Sequence, residues 1–133
     1  MILNDKQIAA LCEGDKPLIS PFFPTKVKKI TVADVETKVV SFGNSEFGYD
    51  ITLGTEFKYP KPGVILDPKN NSEDDWFTVT TDKPFIMNGN SFLIASVTEK
   101  FHMPLDVEGL GFAKSTYSRI GLEVASFVFE PGW

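Results

Sequence analysis

The chain has 133 residues, 42% hydrophobic and 23% charged, with a formal net charge of −5 and a pI near 4.8. That is the composition of an ordinary soluble globule able to bury one sizeable core. The acidic balance argues against a nucleic-acid surface, which needs a basic stripe to neutralise phosphates, and no apolar run approaches the ~18 residues of a membrane span.

A single cysteine, Cys12, rules out an internal disulfide, and with a single histidine, His102, it leaves no zinc site of ordinary spacing. The N-terminus has no charged-then-apolar signal pattern, so the cytoplasm is the expected compartment. No repeat, low-complexity tract or linker interrupts the chain, and residues 1–133 are read as a single domain.

In chain order, Leu3 to Gly14 reads as a short helix. Asn4 and Gln7 have capping-box spacing, Ile8, Leu11 and Cys12 share one face, and Gly14 is a natural stop. Cys12 on that face is a small core residue, not a nucleophile. Pro17, Pro21 and Pro24 forbid long helix or central strand after it. From Val27 the period changes to two, and Val27, Ile30, Val32, Val35, Val39, Val40 and Phe42 predict β-branched strands. The basic run Lys26-Val27-Lys28-Lys29 fits a solvated strand edge.

Gly43 to Gly48 is expected as a loop, and Tyr49 to Gly54 as an alternating strand continued by Glu56 to Tyr59. Asp67-Pro68-Lys69-Asn70-Asn71 is a turn cluster, and Ser72 to Asp75 a solvated acidic loop. Trp76 to Thr80 and Phe85 to Met87 predict short strands. Asn88-Gly89-Asn90 marks a turn before a half-buried strand over Ser91 to Glu99. His102 beside Met103-Pro104 is read as structural or surface. One helix followed by many short strands points to a β-sandwich or barrel.

The chemistry concentrates in Gly111-Phe112-Ala113-Lys114-Ser115-Thr116-Tyr117-Ser118-Arg119-Ile120-Gly121-Leu122. Two glycines bracket one Lys, one Arg, a Tyr and three small hydroxyls. Small residues let backbone N–H groups approach an anion, Lys and Arg supply charge, and hydroxyls add neutral donors. A polar β-turn between two strands accounts for the same composition. The Gly-x4-Gly-Lys-Ser/Thr spacing of a Walker loop is absent.

With the following Glu130-Pro131-Gly132-Trp133, this stretch resembles the signatures of the dCTP deaminase branch of the dUTPase-like family. It is similar to that family's Gly-Lys/Arg-Ser-Ser/Thr-Leu/Tyr-Ala-Arg-x-Gly and its Glu/Asp-Pro-x-Trp. Phe47-Gly48-Tyr49-Asp50, Leu66-Asp67-Pro68-Lys69-Asn70 and Asn90-Ser91-Phe92 are similar to its Tyr-Gly-Tyr-Asp, Val-Asp-Pro-Lys-Asn and Asn-Ser-Phe. The resemblance covers nearly the whole chain.

It implies a mainly β, distorted jelly-roll of the β-clip type with a short N-terminal helix, assembled as a homotrimer with active sites between subunits. The implied reaction is hydrolysis of dCTP to dUTP and ammonia, with Mg²⁺ carried by the triphosphate and no zinc. The His-x-Glu…Pro-Cys-x-x-Cys ligands of zinc deaminases are indeed missing. The expected ligand is a dCTP-, dUTP- or dTTP-type nucleotide, with neither nucleic acid nor membrane as partner.

By resemblance, Lys114, Ser115 and Thr116 contact phosphate, and Ser115 also helps position the attacking water. Arg119 holds the catalytic carboxylate and the base, Glu130 receives the deoxyribose 3′-hydroxyl, and Trp133 is the aromatic of that segment. Lys114 stands where some members carry Arg, a point charge in place of a bidentate fork. The family's catalytic Glu lies in a strand beyond the Pro-x-Trp tryptophan. The chain is therefore expected to be C-terminally incomplete relative to the family, and by itself to bind dCTP weakly without deaminating it. A dUTP pyrophosphatase on the same scaffold and a catalytically inactive nucleotide-binding or interaction module remain open.

Overall fold

In the computed structural model, which describes residues 1–133, Asn4 and Gln7 start the first helix as their spacing predicts. Asn4 Oδ1 accepts from the Gln7 N–H and Gln7 Oε1 accepts from the Asn4 N–H, both at 3.0 Å. This capping box satisfies N–H groups that a helix start otherwise leaves unpaired. Helix α1 (Asp5–Leu11) ends at a Cys12 cap, and Gly14 takes the left-handed conformation, φ +87°, two residues later. The helix thus stops slightly before the glycine that was expected to end it.

The remaining elements, in order, are β1 (Ile19–Ser20), β2 (Val27–Val32), β3 (Val35–Ser45), β4 (Gly48–Asp50) and β5 (Leu53–Pro60). A 3-10 turn at Glu73–Asp75 precedes β6 (Trp76–Thr80), β7 (Ile94–Val97), β8 (Lys100–Phe101) and β9 (Gly109–Gly111). A short helix α2 (Ser115–Ser118) and β10 (Phe127–Phe129) complete the chain. This is the expected mainly β chain with a short N-terminal helix. None of its helices is long and apolar enough to cross a membrane. The elements group into two compact units, Met1–Ile51 with Glu99–Trp133, and Thr52–Thr98.

In the first unit, α1 places Ile8 against Leu18, Ile19 and Met103, with Leu11, Cys12 and Phe101 packed at the edge. Burying side chains of this size stabilises by roughly 1.5–3 kcal/mol each. β1 pairs antiparallel with β8, and Ile19 opposite Phe101 ties that core to the later strands. β2, β3 and β4 form a second antiparallel sheet. The segment Gly43–Ser45, expected as loop, belongs to β3 and pairs with β4, leaving Glu46 and Phe47 as the connection. Gly43 makes this possible. At φ +93° it swings β3 past the chain at Phe23–Thr25, and a Cβ there would meet the Thr25 carbonyl oxygen at 2.7 Å. Asn44 then donates its backbone N–H to Phe23 O and its side-chain amide to Asp5 O, both at 3.0 Å.

Tyr49 fastens β4 to the proline-rich segment. Its hydroxyl donates to Pro21 O at 3.4 Å and accepts from the Phe23 N–H at 3.3 Å, while its ring stacks on Phe22 at 5.7 Å. The expected continuous strand from Tyr49 to Gly54 is broken at Ile51–Thr52. β4 pairs with β3, whereas β5 pairs with β6 and β7.

The second unit centres on β5, flanked by β6 and β7. Phe57 and Trp76 are buried, and the Trp76 indole N–H donates to Asn71 Oδ1 at 2.9 Å. The 92–99 alternation of outward and inward residues appears as expected, although ladder pairing is confined to β7. Phe85–Met87 is not a strand. Phe85 is held through its ring, stacked on Phe57 at 4.7 Å and tilted on Tyr59 at 5.9 Å. The acidic run forms a capped 3-10 turn, with Ser72 and Asp75 exchanging hydrogen bonds and Glu73 paired to Lys58.

Gly43→Ala tests the account of β3. A side chain at positive φ against a backbone oxygen is expected to cost about 1–3 kcal/mol. Urea unfolding should show a lower midpoint with an unchanged slope; an unchanged midpoint would contradict the close approach.

Candidate functional site

Across the β9–β10 ladder, Gly111 faces Phe127, Leu110 faces Val128 and Gly109 faces Phe129. The alternation of β9 is set by its glycines. A Cβ on Gly109 would lie 3.1 Å from the Phe129 ring, and one on Gly111 would fall inside the Phe127 ring. Both aromatic rings therefore lie over bare backbone, and Phe129 stacks in turn on Phe101 at 4.3 Å. The opposite face of the ladder shows Leu110 and Val128 to solvent, with Phe112 exposed just beyond β9.

The signature stretch is the connection leaving β9. Its geometry is a single helical turn where a β-turn was considered. Lys114 is its extended N-cap, and the N–H groups of Tyr117 and Ser118 bond back to Lys114 O at 2.9 and 3.2 Å. The N–H groups of Ser115 and Thr116 come before this first intrahelical bond, where helix donors have no partner in their own helix. Gly121, at φ +81°, reverses the chain, and the Leu122 N–H closes onto Tyr117 O at 3.2 Å. Ser115, Thr116 and Arg119 are exposed.

Lys114 is held differently. Its Nζ donates to Asp50 Oδ2 in an ion pair whose side chains retain 24% and 28% of their exposure. Lys26 Nζ lies 3.9 Å from the same oxygen. Two ammonium groups around one carboxylate leave one net positive charge, local to this turn in a chain of net charge −5. Sequence reasoning read Lys26 as part of a solvated basic run and Asp50 only as part of a motif, and assigned neither to the site. The signal for Asp50 lay within Phe47-Gly48-Tyr49-Asp50, but a partner 64 positions away is not legible there.

Glu130 and Trp133 lie elsewhere. They form a turn closed by the Trp133 N–H on Glu130 O at 3.1 Å. That turn is stitched to Met103, whose N–H donates to Trp133 O at 2.9 Å and whose carbonyl accepts from Gly132 at 3.1 Å. The Trp133 ring meets Phe129 edge-on at 6.4 Å and stays 69% exposed. Because β9 and β10 are antiparallel, Glu130 follows the end of the ladder at Gly109, and Lys114 the end at Gly111. The fold gathers Lys114, Ser115, Thr116 and Arg119 in one turn, and within one copy it sets Glu130 and Trp133 at the far end of the ladder.

Other reactive groups stand apart. His102 is exposed, with Nδ1 3.2 Å from Pro17 O. Burial pushes the Cys12 thiol above its ordinary value, partly offset by a backbone hydrogen bond at Ile19. Burial also raises the Tyr49 hydroxyl; the Phe23 hydrogen bond acts the other way, and the charges of Glu99 and Cys12 reinforce the rise. Neither group is in the turn.

The sequence matches a family model described as dCTP deaminase-like over residues 2–133. The dCTP deaminase of Paraburkholderia xenovorans (strain LB400) is 38% identical over 134 aligned residues, covering 99% of this chain and 68% of that protein. The dCTP deaminases of Burkholderia mallei (strain SAVP1) and Burkholderia pseudomallei (strain 668) match at the same identity and coverage.

The Cys12 assignment is testable directly. The thiolate is the reactive form, and a raised thiol releases it only at higher pH. Iodoacetamide should alkylate Cys12 more slowly at pH 7.5 than a free cysteine, and faster as pH rises or urea unfolds the chain. Rapid labelling of the folded protein at neutral pH would contradict a core role.

Proposed function

The chain belongs to the dCTP deaminase-like family, and from that premise we propose that its 114–119 turn holds the triphosphate of dCTP for zinc-independent hydrolysis to dUTP and ammonia. The observation that carries this reading is the held cation of the turn: Lys114 anchored on Asp50, beside the leading N–H groups and hydroxyls of Ser115 and Thr116. Lys114, Ser115 and Thr116 take the phosphates, where a charged donor and neutral donors at short reach suit anionic oxygens. Ser115 also orients the attacking water, and Arg119 holds the reacting base and the carboxylate that serves it. Glu130 accepts the 3′-hydroxyl, and Trp133 lies against the same part of the nucleotide.

Mg²⁺ enters on the nucleotide. The turn offers donors, and its nearby carboxylate, Asp50, is committed to Lys114, so the metal would be held by the nucleotide and not by the turn. When bound, the metal would supply neutralisation of phosphate charge, while Lys114 and Ser115 fix where the triphosphate sits.

A homotrimer with the nucleotide between subunits accounts for two features. Within one copy the two groups of site residues follow opposite ends of the β9–β10 ladder. A second copy brings the Glu130 end of one ladder to the Lys114 end of another. The outward row of Leu110, Phe112 and Val128 is apolar surface suited to burial between copies.

Attack of water on C4 of cytosine needs a group that takes the water's proton and returns one to the base and the leaving amine. Such positioned transfer contributes about 10²–10⁴ in rate. Asp50 is bonded to Lys114, Glu130 is assigned to the sugar and Glu123 is exposed to solvent, so these 133 residues are expected to bind dCTP weakly without turning it over. Incubation with dCTP and with dUTP, reading ammonia and pyrophosphate separately, decides. Steady ammonia release would place a working base within the 133 residues, with Glu123→Gln the next variant. Pyrophosphate release from dUTP would assign the sister activity instead.

Lys114→Ala is expected to weaken dCTP and dUTP alike, because phosphate contacts do not read the base. Loss of one charged hydrogen bond of ~1.5–3 kcal/mol corresponds to a ten- to hundred-fold fall in affinity. Calorimetry showing unchanged affinity would return the turn to a structural role. Arg119→Ala should instead affect catalysis or folding more than triphosphate affinity.

A further inference from the structure

Resting on the reading that the 114–116 turn binds phosphate, we infer that Asp50 is the positioning residue for Lys114, holding its ammonium ready in the free protein. A lysine side chain is a flexible four-carbon stem with large rotamer entropy. A free Lys114 would lose that freedom when nucleotide binds. Here the loss occurs on folding, because Nζ is already bonded to Asp50 Oδ2 in a partly buried pair. An ammonium has three donors, so Asp50 leaves two for phosphate oxygens.

Asp50 is itself fixed. It pairs with Gly43 across the β3–β4 ladder, and its neighbour Tyr49 is fastened to Pro21 and Phe23. Lys26, 3.9 Å from the same carboxylate oxygen, prevents the pair from cancelling to zero. The cluster of Lys26, Asp50 and Lys114 keeps a charge of +1 while the Lys114 ammonium is held on the shared carboxylate. Asp50 touches Lys114 and acts on the ligand through it.

The sign of one substitution separates this role from simple electrostatics. Asp50→Asn removes a negative charge from an anion site, so Coulomb attraction alone predicts tighter binding. Positioning predicts weaker binding. Calorimetry with magnesium and inorganic triphosphate, and with dCTP, is expected to show about a tenfold loss for Asp50→Asn, with Asp50→Glu recovering part of it. In a Lys114→Ala background, Asp50→Asn should change nothing further, since its effect runs through Lys114. Unchanged or tighter binding by Asp50→Asn, or an effect that persists without Lys114, overturns the inference while leaving the phosphate turn intact. Lys114→Ala without effect overturns both.

Should Asp50→Asn fail to fold, NMR of the Lys114 ammonium in the unsubstituted chain tests the same contact. Its protons are expected to be protected from exchange in the free protein and to shift on adding triphosphate. Exchange as fast as at exposed Lys6 overturns the inference.

Discussion

Two phenylalanine rings lying over two glycines hold the candidate site together. Phe127 and Phe129 occupy the space that side chains at Gly111 and Gly109 would fill. The close approach joins β10 to β9, and it also links the site to the core. Phe129 stacks on Phe101, Phe101 pairs with Ile19, and Ile19 packs with Ile8 under the N-terminal helix. Interiors pack densely enough that displacing one such ring moves its neighbours. The signature turn hangs from one end of this ladder and the Glu130–Trp133 turn from the other, so both inherit their placement from the same aromatic stack.

Electrostatics act on a smaller scale. A protein of net charge −5 does not attract anions through its overall field. What it has is local: Lys26 and Lys114 around one carboxylate, next to a turn of hydroxyls and leading N–H groups. A partly buried ammonium needs a partner, because a charge drawn partly out of water is costly to leave unpaired. Asp50 meets that need from another strand, and Lys26 restores the positive balance. One cluster thus pairs the partly buried charge and leaves a local positive balance, without a broad basic surface.

Local signals in the chain were legible where the physics is local. The Asn4–Gln7 capping box spans three residues and needs nothing else, and it formed as expected. The alternation over residues 92–99 survived in the burial pattern. Where a distant segment competes for hydrogen bonds, local signals gave way. Gly43–Ser45 has the composition of a loop but continues β3, because Phe23 and β4 supply its backbone partners. Phe85–Met87 has strand composition, yet Phe85 is engaged through its ring with Phe57 and Tyr59.

By itself the sequence determined the mainly β class, the N-terminal helix, the identity of the signature turn and the family. Each depends on periodicity, caps or contiguous motifs, which a chain carries in linear order. The tertiary structure decided that Lys114 is bonded to Asp50, that Lys26 shares that carboxylate, and that Glu130 lies across the ladder from the turn. Those are meetings between residues far apart in the chain. Strand register and ring packing settle them, and neither is written in the spacing of the residues that meet.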